Sequence, residues 1–135
     1  MLDLNEKFYG DITNETIIDL LTVAFEGGSD YWLSDDIFLT YGSGKTLEDY
    51  KLDGRPCWYL LPVFDGNVRF TWKNDDHLEM GDETHDLDRI DLLNALETLE
   101  KQWPGHFADI VEGQDDAEPA DLVLQLAGLG EVTFG

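Results

Sequence analysis

A small α+β domain, with helices packed on a short antiparallel sheet built around a central hairpin, is the fold class this sequence predicts. Two stretches near the ends carry apolar residues at helical spacing, a middle stretch alternates apolar with polar residues, and an Asp-Gly pair divides β-rich runs. With 135 residues, 42% hydrophobic and 12% aromatic, the chain is too apolar for a disordered acidic tail. A chain of this length buries roughly two-thirds of its unfolded surface, enough for one core. Residues 1–135 are therefore expected to form one acidic α+β domain.

Residues 13–26 predict the first helix, because Ile17, Leu20, Leu21, Ala24 and Phe25 fall on one stripe. Thr13 or Asn14 can cap its start, and Gly27-Gly28 is expected to supply a left-handed stop. Tyr31 and Trp32 follow and are expected to fold back over the helix end. Residues 36–41 predict a short strand, followed by a Gly42-Ser43-Gly44 turn. Residues 57–64 predict a further strand, placed at an edge or bulged by Pro62. Asp65-Gly66 is expected to turn it into a hairpin with residues 67–72, where alternation puts one face on the core. Residues 73–84 read as a polar acidic loop.

Asp86 or Asp88 opens a second helix running to about Trp103. Leu92, Leu96, Leu99 and Trp103 share one side, Ile90 and Leu93 lie beside them, and Pro104-Gly105 is expected to end it. Residues 106–111 fit one helical turn, and 112–118 a loop. Pro119 suits the first turn of a third helix over 120–127, with Gly128 as its stop. Residues 131–134 predict a closing strand.

Thirty acids against eight bases give a formal charge of −22. That works against direct binding to DNA, RNA or an anionic membrane, which Lys and Arg grip with counterion release. The same field attracts basic surfaces, including the nucleic-acid channels of other proteins. Solubility and a halophilic origin (Asp 19, Glu 11, Lys 5) are the plainer readings of the acidity. Its distribution is uneven, however: 14 of the 30 acids lie in residues 75–91 and 109–121, and no Lys or Arg follows Lys101. A protein needing only solubility would intersperse the two signs. The single Cys57 excludes an internal disulfide framework, and no apolar run approaches the ~20 residues of a membrane span. The start of the chain lacks the basic and apolar regions of a secretory signal, so a cytoplasmic location is expected.

Catalytic and metal patterns are weak. Gly42-Ser43-Gly44-Lys45-Thr46 resembles the end of a phosphate-binding loop, but Leu39 stands where the first Gly is needed. With Asp75 as first ligand of a calcium loop, the turn Gly falls on Met80. His77, His85, His106 and Cys57 have no zinc spacing, and no nucleophile elbow is present. Neither catalytic residues nor a metal or other cofactor is expected, and the chain reads as a binding protein rather than an enzyme.

Two segments, Ala24-Phe25-Glu26-Gly27-Gly28-Ser29-Asp30-Tyr31-Trp32 and the stretch from Ala120 to Gly135, together resemble a family of small bacteriophage and prophage proteins. Residues 24–32, Ala-Phe-Glu-Gly-Gly-Ser-Asp-Tyr-Trp, are similar to the family's ALEGGSNYW stretch. Residues 120–135 are similar to its C-terminal ADVFLQLALFGEIVYG. Together they cover 25 residues of the 135, in the family's order. Phe25 stands for Leu, Asp30 for Asn and Gly128 for a bulky residue. The resemblance implies a phage origin, and hence a setting in the cytoplasm of a host bacterium. Small acidic phage proteins that occupy nucleic-acid channels supply the analogy for function.

The favoured expectation is inhibition of a host nucleic-acid-directed defence complex, of the anti-CRISPR or anti-restriction kind, by acidic mimicry and occlusion of a basic groove. The partner-binding candidates are Asp75, Asp76, Glu79, Asp82 and Glu83, with Asp109, Glu112, Asp115, Asp116 and Glu118. An alternative is a small-molecule or nucleotide-signal binder using Glu26, Tyr31 and Trp32 beside Gly27-Gly28. A virion structural or assembly protein is the third reading.

Overall fold

The computed structural model describes residues 3–29, 31–73, 82–113 and 117–132. Strands β1 (Lys7–Tyr9) and β2 (Ile12–Thr13) form a small hairpin that leads into helix α1 (Asn14–Val23). Thr13 caps α1 by accepting the Thr16 N–H at 3.3 Å. The helix passes into a wider π-type turn, Ala24–Gly28, closed by Ser29 N–H donating to the Ala24 carbonyl at 2.9 Å. The expected left-handed glycine stop is absent: Gly27 has φ 171°, an extended conformation open to any residue, and Gly28 has no positive φ. Gly28 serves close approach instead. A Cβ there would sit 3.2 Å from the Ala117 carbonyl oxygen and 3.3 Å from that of Val23.

The main sheet has the order β3-β6-β7, both pairings antiparallel, with β3 at Leu33–Thr40, β6 at Asn67–Lys73 and β7 at Asp82–Leu87. On β6, Val68 and Phe70 face the core while Arg69 faces outward, as the alternation predicts. The strand expected over residues 57–64 does not form, and neither does a hairpin across Asp65-Gly66. Trp58–Leu60 is a single turn of 3₁₀ helix, continued by Leu61 N–H to Trp58 O and Gly66 N–H to Leu61 O. Leu60, Leu61 and Val63 are all fully buried, so nearly consecutive side chains point into the core. A strand with one solvent face cannot arrange that, and Pro62 brings no ladder donor. The hairpin partner of β6 is β7, so residues 82–84 of the expected acidic loop belong to a strand. A two-residue pair, β4 (Lys51–Leu52) with β5 (Arg55–Pro56), lies in the excursion between β3 and β6.

Helix α2 (Arg89–Gln102) starts at Asp88 with a reciprocal capping box: Asp88 accepts the Asp91 N–H and Asp91 accepts the Asp88 N–H. Leu92, Leu96 and Leu99 are buried as expected, but Ile90 is 65% exposed. It sits in the first turn of α2. Pro104 occupies the first turn of helix α3 (Pro104–Val111), so it begins one helix as the other ends. Helix α4 (Ala117–Leu129) packs on α1, α2 and the Ala24–Gly28 turn. Gly128 is inside α4 rather than after it, and it is a contact position: a Cβ there would overlap the Phe70 ring. Glu131 and Val132 are not in a strand, and the rest of the expected closing strand lies outside the described residues. The buried side chains of α1, α2, α4 and the sheet form one cluster. The architecture is α+β. No described helix is long and apolar enough to cross a membrane.

Candidate functional site

Ser29, Tyr31 and Trp32 meet helix α4 in space, 89 to 92 positions away in the chain, around the Asp121 carboxylate. Its Oδ1 accepts Ser29 Oγ–H at 2.7 Å and Trp32 Nε1–H at 2.8 Å. Its Oδ2 accepts Tyr31 O–H at 2.5 Å and Gln125 Nε2–H at 3.0 Å. Gln125 also donates to the Tyr31 hydroxyl at 3.2 Å, one turn beyond Asp121 on the same face of α4. Four neutral donors thus satisfy the carboxylate, and none of them brings a positive charge. Ser29, Trp32 and Gln125 are buried, and close packing of α4 on Gly28 sets the separation that these bonds require.

Tyr31 behaves differently from Trp32. Trp32 is 3% exposed and packs edge-on against Phe70, covering the helix end as expected. Tyr31 as a residue is 56% exposed, while its hydroxyl bonds to Asp121. Desolvation of that end, and then the bond to Asp121, push the phenol pKa up to about 12. Beside it lies an open cleft of about 370 Å³, lined by Gly28, Tyr31, Ala117, Glu118, Asp121, Leu122 and Val132. Glu26 is not among these residues; its carboxylate accepts the Tyr59 hydroxyl at 3.0 Å.

Among the acidic candidates, Asp75, Asp76, Glu79, Asp115 and Asp116 lie outside the described residues. Asp82 and Glu83 occupy β7, in register with Lys73 and Trp72 of β6. Asp109 is half-buried on α3, while Glu112, just past its end, and Glu118, in the first turn of α4, are exposed. His106 of α3 lies 3.5 Å from Glu118, which brings the two helices together at this end. Other acids of the same two stretches have internal partners: Asp86 pairs with Arg69 at 2.8 Å, Asp88 and Asp91 cap α2, and Asp121 ties the motifs together.

The Gly42–Lys45 loop is also committed to structure. Lys45 pairs with Asp65 at 2.5 Å, and Tyr50 donates to the same carboxylate at 2.7 Å while accepting the Gly42 N–H at 2.8 Å. The Lys45 ammonium, and with it the Tyr50 hydroxyl, hold the Asp65 pKa below the usual carboxylate range. A second hollow, about 340 Å³, contains His85 and Asp91, whose Nε2 and Oδ2 lie 3.1 Å apart, with Asn94 and the end of α4. Its described lining offers a base pair but no Ser, Thr, Cys or Lys to activate. Among the described residues no three His, Cys, Asp or Glu side chains converge as a metal would require.

The Asp121 network was not foreseen from sequence. The signal available was the joint presence of Ser-x-Tyr-Trp at residues 29–32 and Asp-x-x-x-Gln at residues 121–125. Comparison with protein-family models, curated proteins and solved structures gives no match to this chain.

Proposed function

We propose that this chain is a binding protein that occupies a basic, nucleic-acid-binding surface of a host protein, in the manner of a phage-borne anti-CRISPR or anti-restriction inhibitor. One observation carries the reading. The α3–α4 end of the molecule presents Asp109, Glu112 and Glu118, and none of them pairs with a Lys or Arg among the described residues. From Gln102 onward the sequence contains no basic residue except His106. Uncompensated carboxylates on one end form a directional field, and such a field steers a basic groove and speeds encounter with it. The phage assignment rests on the two resembling segments, and it places the protein's action in a bacterial cytoplasm.

The test is competition. The purified protein is expected to displace duplex DNA from a host restriction or CRISPR effector complex, with an affinity that falls steeply as salt rises. Reversing Asp109, Glu112 and Glu118 together to Lys should abolish displacement while leaving the circular-dichroism melt in place. A triple variant that displaces DNA as well as the unmodified protein overturns the reading.

The cleft beside Tyr31 favours a second reading, ligand binding, since its volume falls within the range of small-molecule sites. Its acidic walls oppose a nucleotide, which needs cations at its phosphates. Thermal shift against a nucleotide panel checks this reading, and stabilisation by several degrees would support it.

A further inference from the structure

We infer that the cleft between Tyr31 and the first turns of α4 receives an arginine side chain from the partner protein. This rests on the proposed reading of the chain as an acidic binding protein and supplies its anchor point. Three properties of the cleft select the guest. Its apolar wall, Leu122 and Val132, suits an aliphatic stem. Tyr31, an exposed residue (56%) with its hydroxyl pinned to Asp121, offers a fixed aromatic face. A planar guanidinium stacks on such a face better than an ammonium does. Two carboxylates border the cleft with no Lys or Arg in its described lining.

These carboxylates have separate roles. Asp121 has its acceptor positions filled by Ser29, Trp32, Tyr31 and Gln125, so it contributes charge rather than a new hydrogen bond. Glu118 projects from the first turn of α4 with a highly exposed side chain and, among the described residues, an ion-pair contact with His106 at 3.5 Å, so it is the group that can accept guanidinium N–H donors. An anion is excluded from the same space by both charges. The rigidity of the Tyr31 ring means little side-chain ordering remains to be done on binding.

The experiment titrates the 135-residue chain with a blocked Gly-Arg-Gly tripeptide, its Gly-Lys-Gly counterpart and spermidine. The Leu122 and Val132 methyl and Tyr31 ring signals are followed by NMR. Saturable shifts of all three with the arginine peptide, several-fold weaker binding of the lysine peptide, and a roughly tenfold loss in Glu118→Gln are expected. Glu118→Gln is exposed and should leave the fold unchanged, which the rest of the spectrum verifies. Unmoved cleft signals in a protein that still displaces DNA overturn the cleft and leave the acidic reading standing. Unmoved signals in a protein that displaces nothing overturn both. Spermidine shifting these signals as strongly as the arginine peptide overturns the protein-partner assignment in favour of a diffusible cation.

Discussion

At the scale of single residues, Asp121 is where the chain's chemistry is most constrained. A carboxylate with four donors cannot be replaced by an amide without turning one acceptor into a donor aimed at other donors. Asp121→Asn is therefore expected to destabilise the fold by about 1–3 kcal/mol, read from urea unfolding. Ser29→Ala, which removes one bond, should cost less. The tyrosines give a second expectation. Tyr31 and Tyr9 are each raised to about 12, Tyr31 chiefly by desolvation and Tyr9 chiefly by its bond to Glu100, and burial and a hydrogen-bond partner also raise Tyr50 and Tyr59. Because the folded state holds these protons more tightly, their contribution is fully present below the unfolded value near 10 and is lost as pH rises toward 12. Absorbance titration of the phenolate should show most of the five tyrosines ionising above 10, together with alkaline unfolding. A single transition near 10 in a folded protein would contradict the Asp121 and Glu100 contacts.

At the scale of elements, the packing of α4 on the sheet depends on a missing side chain. The Phe70 ring fills the space that a Cβ at Gly128 would need. Gly128→Ala is expected to cost about 1–3 kcal/mol by overpacking, despite the gain in helix propensity. Adding Phe70→Leu to it should recover part of that loss, since contacting residues couple non-additively. A melt in which the two changes simply add would show that the ring and the helix do not share this space. The helices themselves were largely legible: α1 and α2 follow from their apolar spacing, and the Asp88 cap was one of two named. The segment at residues 57–64 was not, because a short apolar run fits a strand, a buried turn or a helix equally until its surroundings are known.

Over the whole molecule, a charge of −22 sets a self-repulsion that the eight basic residues offset only locally. Lys45–Asp65, Arg69–Asp86, Lys7–Asp11, Lys51–Glu48 and Lys101–Glu97 are all surface pairs of modest worth. The melting temperature is therefore expected to rise by several degrees as added salt shortens the Debye length from about 10 Å to about 3 Å. A calorimetric series in NaCl checks this, and a flat or falling melting temperature would mean that the surface pairs outweigh the repulsion.

Composition and periodicity by themselves determined the class of fold, the acidity and its crowding into two stretches of the second half of the chain, and the C-terminal end of α2. These properties depend on residues close together in sequence, where helical spacing, caps and charge runs are local matters. Tertiary structure decided which strand pairs with β6, that Gly28 and Gly128 are contact positions rather than helix stops, and that Asp121 belongs to a network rather than to an acidic surface. Each depends on groups about 60 to 90 residues apart, or on neighbours across the sheet, meeting at hydrogen-bonding or van der Waals distance. No local pattern records such a meeting, because it exists only once the core has closed.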